Sequence, residues 1–514
     1  MKRATLAVMI ATVLSKVLGF VREMVLSYVY GASGITDAYL ISQTIPTVIF
    51  SLVSVGIATG FVPMYSRILG ECGKSEAEEF TSNVSNALLV FSVIIVVFVL
   101  IFARPIVKLF ASGFAAETFD LAVTLTRISV FGMIFTGMVD IFSGYLRLHD
   151  NFIVPAVIGF PMNFVIIASL FLSAKTSVYM LGAGSFAATA LQFLFCVPFI
   201  RKTDYRHKLT LNPRDDHLQS MILVALPVII GTAINDINIL VDRTLASSIT
   251  VGGVSALTYA KHLIGFVQGL FVVSVTTVLY PMIAKMAAEG NMRTFKGYLA
   301  EAISMVNLLV VPTTVGAMIF AREIVTLLFG RGAFTTEAIC VTGGALFYYS
   351  IGMIAFGLRD VLTRAFYSLQ DTRTPMINAT FAVVINIVLN IYLSRFMGIG
   401  GLALATSISG FISAVLMFLT LRRKVGPFGL KGITTSFVKI VCASVLMGIT
   451  SYGSFSIFCR FFRQNVALIV AIAIGALTYG ILILLMRIPE VDRTVEALKQ
   501  GIQGKVISKA GTDE

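Results

Sequence analysis

Charged side chains interrupt the first apolar run of the sequence, and their types are those that bind anions. The run that starts near residue 5 contains Lys16, Arg22 and Glu23, and Asp37 opens the next run. A charge near the centre of a bilayer costs about 2.5 kcal/mol or more, so such residues normally face a bundle interior or a watery cavity. Lys16 and Glu23 are seven residues apart and share one stripe of a helix, on which Gly19 leaves space free of side chains. The pattern favours an anion-binding cavity; the alternative is a buried ion pair that only locks helices together.

A second set of charges lies in the later apolar runs, where Lys261 and His262 are adjacent. Together with Lys16 and Arg22 these side chains suit a multivalent anion, and a diphosphate offers both the charge and many acceptor oxygens. The two acidic residues of the first runs would position the cations and keep them charged. His262 is either a packing residue or a pH-sensitive member of the site. The predicted substrate site is Lys16, Arg22, Glu23, Asp37, Lys261 and His262, and no catalytic residue is predicted. Other intramembrane charges are Asp140, Asp236, Asp242, Arg243, Arg359, Asp360 and Arg364.

Two asparagines lie in an otherwise aliphatic run. Asn386 and Asn390 are four residues apart, hence on one helical face, and Thr406 follows in the next run. One interpretation is hydrogen bonding that joins helices. The other is a sodium site, with Asp242 supplying the carboxylate and the amide oxygens completing a shell of hard ligands. Coupling to an ion gradient would follow from the second interpretation.

Other kinds of chemistry lack their sequence signals. The chain has no Walker loop, no Ser/His/Asp constellation and no metal-ligand cluster, and its five cysteines are scattered without a CxxC pair. We therefore predict a transporter rather than an enzyme, driven by an ion gradient or the membrane potential. No cofactor is predicted apart from sodium as a candidate coupling ion.

The composition is that of an integral membrane protein. The 514 residues are 57% hydrophobic and only 13% charged, with a mean hydropathy of +0.92, whereas soluble domains are about a quarter charged. Apolar runs of about 20 residues, each long enough to cross a bilayer as a helix, recur along the chain without the alternation of a β-barrel. The predicted fold is an all-α polytopic membrane protein.

Fourteen transmembrane spans are predicted. They lie near residues 5–30, 36–65, 82–110, 121–146, 153–174, 178–200, 218–246, 254–284, 295–320, 337–368, 375–395, 399–421, 434–457 and 464–487. Basic residues concentrate in every second connection, which places both termini in the cytoplasm. The same loops explain the net charge of +13 without a nucleic-acid partner.

The sequence contains a repeat. Phe102–Phe114 resembles Phe320–Phe334, and Val62–Arg67 resembles Tyr280–Lys285, both at an offset of about 218 residues. An even number of spans between the copies predicts two six-helix lobes in the same orientation, with substrate bound between them. The predicted parts are an N-lobe over 1–200, a basic cytoplasmic linker over 201–217, a C-lobe over 218–424, two additional spans within 425–487, and a cytoplasmic tail over 488–514.

Several motifs are familiar. Ser15-Lys-Val-Leu-Gly-Phe-Val-Arg-Glu, Tyr30-Gly-Ala, Asp37-Ala-Tyr, Pro46 and Gly60-Phe-Val-Pro63 resemble the opening of the MurJ (MviN) family of lipid II flippases. That family is part of the multidrug/oligosaccharidyl-lipid/polysaccharide exporter group, whose other members usually have twelve spans, so fourteen spans favour MurJ. The resemblance extends through all the spans.

The resemblance implies roles for individual residues. Lys16 and Arg22 hold positions of cavity cations, and Glu23 and Asp37 hold acidic positions of the family. Asp242, Asn386, Asn390 and Thr406 correspond to a sodium site in the second lobe. The chain departs from the family in several places: Val48, Ile49 and Phe50 stand where many members have an arginine, Ala260-Lys261-His262 replaces Ala-Asp-Arg, Lys16 replaces arginine, and Asn390 stands where an acid can occur.

The implied function is that of a flippase in the bacterial plasma membrane. It would move lipid II from the cytoplasmic to the outer leaflet by alternating access, with the prenyl tail along a groove formed by the two additional spans of 425–487. Its partners would be lipid II, membrane lipids and a cell-wall polymerase. The alternatives are a flippase for another polyprenyl-diphosphate oligosaccharide and a multidrug/cation antiporter, which should have an acidic, aromatic cavity instead of a basic one.

Overall fold

The computed structural model describes residues 2–488 and residue 491, and within these residues all regular structure is helical. The predicted tail over 488–514 therefore lies almost wholly outside the described residues. The helices of the first part are α1 Lys2–Tyr30, α2 Gly34–Glu71, α3 Lys74–Ile101, α4 Ala103–Phe110, α5 Ala116–Ser129, α6 Gly132–Leu148, α7 Ile153–Val157, α8 Gly159–Lys175 and α9 Met180–Arg201.

The later helices follow a non-helical connection. They are α10 Asp216–Ile249, α11 Gly253–Val267, α12 Val273–Ala288, α13 Met292–Ile319, α14 Ala321–Phe329, α15 Thr336–Ser368, α16 Arg373–Val425, α17 Leu430–Phe458 and α18 Gln464–Leu485. A π-helical turn, Gln268–Val272, joins α11 to α12.

Polar side chains cap several helix starts, where backbone N–H groups have no partner within the helix. Ser33 accepts a hydrogen bond from the N–H of Thr36 at the start of α2. Asp215 accepts from the N–H of Leu218 at 2.9 Å at the start of α10. These caps define where the apolar helices begin.

Ten helical stretches of the described chain are long and apolar enough to cross a membrane. The number rises to twelve if each of two bent helix pairs is counted as one span. One bent pair is α5 with α6, which meet at 45°. The predicted count of fourteen is not confirmed, because α1 is not among these stretches and α16 counts once. Within its 53 residues, however, α16 contains Gly398 with φ 55° and ψ −133°, a non-helical conformation. Glycine adopts this region without the steric cost that a Cβ would impose.

Contacts between Cα atoms divide the chain into two compact units. Unit 1 is Met1–Tyr259 with Leu328–Ile339, and unit 2 is Ala260–Leu327 with Cys340–Glu514. By this division α10 belongs with the first nine helices, against which it packs mainly through α2. The six-span lobes and their boundaries stay a prediction, since this division follows contacts and not the repeat.

Each unit has its own packing centre. In unit 1, α2 packs against α5, α6 and α10, and α1 packs against α8. An apolar core with aromatic stacking fills the space between α2, α3 and α6; Phe61 and Phe80 lie with ring centroids 6.0 Å apart. In unit 2, α17 packs between α13 and α18.

Candidate functional site

Arg22 and Glu23 form an ion pair on α1. Arg22 Nη2 lies 2.7 Å and Nε 3.2 Å from the same oxygen, Glu23 Oε1. The Glu23 side chain is 5% exposed and that of Arg22 is 26% exposed. A guanidinium has five N–H donors, so this pair leaves three for an anion while Glu23 orients the group. The second carboxylate oxygen of Glu23, Oε2, is buried and has no hydrogen-bond partner among the described residues.

Lys16 lies about two helical turns before Glu23 on α1 and is exposed. The space beside Gly19, predicted to be open, faces a side chain of α8: a Cβ at Gly19 would lie 3.9 Å from Asn163 Nδ2. Asn163 is buried, and its Oδ1 atom has no hydrogen-bond partner among the described residues. Asn163 is not among the predicted site residues, although a lone asparagine in an aliphatic run is a recognisable signal.

Asp37 caps a helix that is distant in sequence. Its Oδ2 accepts a hydrogen bond from the N–H of Gly252 at 2.9 Å, and its Oδ1 accepts from the N–H of Ser255 at 2.7 Å. Asp37 is 1% exposed. A carboxylate at a helix N-terminus satisfies orphan N–H groups and is attracted by the helix dipole. The visible contacts of Asp37 thus fix the start of α11, and its predicted role in the substrate site stays a prediction.

Three glycines with positive φ interlock the turns around this cap in unit 1. Gly31, Gly252 and Gly332 have φ of 64°, 79° and 65°. A Cβ at any of them would overlap a carbonyl oxygen of a neighbouring turn. The N–H of Ala333 also donates to the carbonyl oxygen of Tyr28 at 2.9 Å. The turns after α1, α10 and α14 therefore pack backbone against backbone.

Lys261 and His262 lie on α11, and both are exposed. Lys261 and His262 follow Ser255 by six and seven residues. The cap made by Asp37 therefore fixes the start of the helix that carries them. Just before them, Tyr259 is fully buried with its ring 4.9 Å from that of Phe329.

Three of the four predicted sodium ligands are joined by hydrogen bonds in unit 2. Asn390 Nδ2 donates to Asn386 Oδ1 at 3.0 Å, and Asn386 Nδ2 lies 3.4 Å from Thr406 Oγ1. Both asparagines are buried. Asp242, the fourth, is a buried residue of unit 1. The three side chains form one hydrogen-bonded group, and it contains oxygen atoms of the kind that bind sodium. Their chemistry therefore fits a cation as well as hydrogen bonding between helices.

Two serines of α2 contact carboxyl groups that are predicted only to be intramembrane charges. Ser51 Oγ makes a short hydrogen bond with Asp236 Oδ2 on α10. Ser54 Oγ lies 2.6 Å from Asp140 Oδ2 on α6. Serine is common in membrane helices, so the sequence alone gave no signal that these two residues meet acids.

The connection between α9 and α10 is held on α3. Asn86 Nδ2 donates to the carbonyl oxygens of Lys208 and Thr210, each at 2.8 Å. Asn86 Oδ1 lies 2.9 Å from His207 Nε2, and Lys208 Nζ lies 2.7 Å from Glu79 Oε2. Partial burial lowers the pKa of His207. This connection is therefore an ordered part of unit 1.

An ion pair joins the turn between α15 and α16 to the end of α16. Lys424 Nζ is 2.6 Å from Asp371 Oδ2, and the N–H of Thr374 donates to Asp371 Oδ1 at 3.0 Å. The pKa of Asp371 is lowered to about 2, mainly by the hydrogen bond from Lys424 and next by that from Thr374. The pair ties the start of α16 to its end within unit 2.

The family follows from comparison with known proteins. A sequence model described as lipid II flippase MurJ matches residues 26–472. The chain belongs to the MurJ family of lipid II flippases. A probable lipid II flippase MurJ of Thermotoga maritima is 28% identical over 507 residues, which cover 97% of this chain and 99% of that protein. Another probable MurJ, of Vibrio cholerae, is 28% identical over 450 residues, which cover 85% of this chain and 86% of that protein.

Solved structures agree with this MurJ assignment. The structure of a lipid II flippase MurJ in an inward closed conformation is 27% identical, with a TM-score of 0.80, and the match covers 92% of this chain and 97% of that one. An inward-facing multidrug transporter of the MATE family is 15% identical, with a TM-score of 0.68 and coverage of 80% and 94%, and shows the fold alone. The predicted multi-span helical fold and the MurJ resemblance are confirmed.

Proposed function

We propose that this chain is a lipid II flippase that moves the lipid-linked peptidoglycan precursor from the cytoplasmic to the outer leaflet of the bacterial plasma membrane. Membership of the MurJ family supports this function. The observation that carries its chemistry is the pair of Arg22 and Glu23, a half-buried guanidinium oriented by a buried carboxylate with donors to spare.

Arg22 is the anchor for the diphosphate. A guanidinium presents parallel N–H donors that match phosphate oxygens, and it stays charged when partly buried. Lys16, exposed on the same helix, and Lys261 with His262 would add charge for the remaining oxygens. Burying Glu23 next to Arg22 reduces the cost of keeping the cation in an apolar surrounding.

Transport would proceed by alternating access of two lobes. By the predicted topology the turns after α1 and α10 lie on the outer side of the membrane. The cap of Asp37 on Gly252 and Ser255, with the interlocked glycines, would then close that side in this conformation. Opening to the outer leaflet would need these backbone contacts to separate.

Sodium is the candidate coupling ion. Asn386, Asn390, Thr406 and Asp242 would hold it, and a bound cation would supply positive charge that these oxygen atoms share. We also infer that both termini lie in the cytoplasm and that α17 and α18 form a groove for the prenyl tail. The chain would in addition contact a cell-wall polymerase.

The substrate can be tested with purified protein in liposomes. Lipid II is placed in both leaflets, and the inner pool that becomes accessible to an external probe is measured over time. We expect transfer of lipid II and none of a lipid-linked drug-like cation. Equal transfer of an unrelated polyprenyl-diphosphate oligosaccharide would favour the broader substrate class, and no transfer of lipid II would contradict the proposal.

A further inference from the structure

An apolar cavity lies within unit 1, between α2, α3, α10 and the connection between α9 and α10. Its volume is about 580 Å³, within the roughly 300–1,000 Å³ that is usual for ligand pockets. All the described side chains that line it are apolar; they include Ile57, Leu88, Phe91, Leu211, Met221 and Ile229. Such a cavity does not hold water, because a buried water needs several polar partners. Its chemistry therefore fits a hydrocarbon.

The connection between α9 and α10 forms one end of this cavity and is held there by α3. Leu211 and Pro213 of the connection line the cavity. Between them, the N–H of Asn212 donates to Asn83 Oδ1 at 2.7 Å, and Asn83 Nδ2 donates to the carbonyl oxygen of Asn212 at 3.0 Å. Asn83 is buried, and hydrogen bonds shielded from water are electrostatically stronger than exposed ones. This end of the cavity is therefore a fixed part of the fold.

The side of the cavity along α3 is open towards lipid. Val90, Phe91 and Ile94 line the cavity and are exposed. Their helix is long and apolar enough to cross a membrane, and the other exposed side chains of its second half are apolar as well. Such a helix face contacts lipid chains in a bilayer. An empty space there would lose dispersion contacts with its lining, and a lipid chain entering from the side would restore them.

The length of the cavity matches one leaflet of a bilayer. Val84 and Ile94, which both line it, are ten residues apart on α3 and hence separated by about 15 Å along the helix axis. The hydrocarbon core of a bilayer is about 30 Å thick, so the cavity is as long as the chain region of one leaflet. By the predicted topology the connection between α9 and α10 is cytoplasmic, which assigns the cavity to the cytoplasmic leaflet.

Basic side chains are available at the same end of the cavity. The charged residues of the connection are Arg201, Lys202, Arg206, Lys208 and Arg214 with Asp204, Asp215 and Asp216. Arg214 is exposed and directly follows Pro213, which lines the cavity. Lys208 already pairs with Glu79, and Asp215 already caps α10. Because a guanidinium presents paired N–H donors to phosphate oxygens, Arg214 is suited to a lipid head group at this end.

We propose that this cavity binds one acyl chain of a glycerophospholipid from the cytoplasmic leaflet, and that Arg214 holds the phosphate of that lipid. The bound chain fills the space between α2, α3 and α10 and stays with the protein when the surrounding lipid is removed. The lining contains none of the predicted substrate-site residues, and the lipid site does not depend on the proposed function.

The lipid retained after purification tests the site. The full chain is extracted with a mild detergent from vesicles of phosphatidylglycerol and phosphatidylethanolamine, and bound phospholipid is counted by native mass spectrometry. We expect a single phospholipid on the wild-type chain and its loss in Ala87→Phe, which places a ring in the cavity. Val93→Phe, at an exposed position of α3 outside the lining, should retain the lipid.

Three outcomes of this experiment would overturn the proposal. They are a wild-type chain without phospholipid, equal retention by Ala87→Phe and Val93→Phe, and a polyprenyl lipid in place of the phospholipid. Arg214→Gln should lower the retained amount several-fold, whereas Arg201→Gln at the end of α9 should leave it unchanged. Equal retention by these two variants would contradict the role of Arg214.

Photo-crosslinking of the wild-type chain locates the lipid without relying on the folding of a variant. A phosphatidylglycerol that carries a diazirine on one acyl chain is incorporated into the same vesicles, and labelled peptides are identified after detergent extraction. Labels should fall within residues 84–94 of α3 and 218–229 of α10, where both helices line the cavity. Labels confined to other segments would overturn the proposal.

Discussion

The carboxylate of Asp37 accepts a hydrogen bond from the backbone N–H of Ser255 at 2.7 Å, although the residues are 218 positions apart. Its other oxygen accepts from the N–H of Gly252. One buried side chain of α2 therefore fixes the first turn of α11, the helix that carries Lys261 and His262. An acidic residue at this place in a membrane helix has a structural task, whichever part it has in binding substrate.

Replacement of Asp37 by alanine should destabilise the protein. Two buried N–H groups would lose their acceptor, at about 1–3 kcal/mol each. We expect a clear fall in the thermal unfolding midpoint in detergent. Asp120→Ala is the matched control, because the Asp120 side chain is 57% exposed in its pair with Arg104 and surface pairs contribute about 0–1 kcal/mol. Equal midpoints for Asp37→Ala and Asp120→Ala would contradict the importance of the cap.

Gly332→Ala should destabilise more than Gly290→Ala. Both glycines have positive φ, 65° and 71°, so both substitutions carry a strain of about 1–2 kcal/mol. A Cβ at Gly332 would also overlap the carbonyl oxygen of Tyr28, whereas nothing lies within 4 Å of one at Gly290. Thermal unfolding of the two variants separates overlap from strain. A larger loss at Gly290 would show that the turns are not interlocked as described.

Stability contributed by the pair of Asp371 and Lys424 should disappear in acid. The pKa of Asp371 is lowered to about 2 in the folded protein, against about 3.9 in an unfolded chain. An acid whose pKa is lowered by folding stabilises the folded protein at pH values above its unfolded pKa. That contribution is lost as pH falls from about 4 to about 2. Because Lys424 is 43% exposed, solvent screening keeps the effect below about 1 kcal/mol.

The variants Lys424→Met and Lys431→Met test this pH dependence. Lys431 is an exposed residue near the start of α17. Denaturant unfolding should show a loss for Lys424→Met relative to Lys431→Met above about pH 4, shrinking towards about pH 2. A difference that grows in acid would have the wrong sign for the assigned pair.

The connection between α9 and α10 should become accessible when Asn86 is replaced by alanine. This change removes the donor to the carbonyl oxygens of Lys208 and Thr210 and the partner of His207. Trypsin should then cut at Arg206 or Lys208 faster than in wild type. Asn465→Ala, at the start of α18, serves as control, and equal cleavage rates in the two variants would mean that Asn86 does not hold the connection.

Sequence patterns predicted the helices well, because apolar runs are local signals. The binding role of the charges on α1 stays a prediction. The pairing of Arg22 with Glu23 is likewise local. The cap by Asp37 and the contact between Ser51 and Asp236 could not be predicted, since helical periodicity does not say which helices pack together. The neighbour of Gly19 could not be predicted for the same reason: a Cβ there would have room, and the nearest side chain, Asn163 at 3.9 Å, comes from α8.

The predicted count of fourteen spans is not confirmed. The structure gives ten to twelve stretches that are long and apolar enough to cross a membrane. Gly398, with φ 55° and ψ −133°, marks a kink between two helical segments of α16, and the predicted spans 375–395 and 399–421 lie on either side of it.

The most direct test of the account is lipid II transfer by Arg22→Gln in liposomes. Glutamine can still donate to Glu23, but it lacks the charge and keeps one spare donor where arginine keeps three. A charge-assisted hydrogen bond contributes about 1.5–3 kcal/mol, and 1.4 kcal/mol is tenfold, so we predict a loss of at least about tenfold in the transfer rate. Arg127→Gln, an exposed arginine on α5, should transfer at the wild-type rate. Equal rates for Arg22→Gln and Arg127→Gln in folded protein would contradict the claim that Arg22 binds the diphosphate.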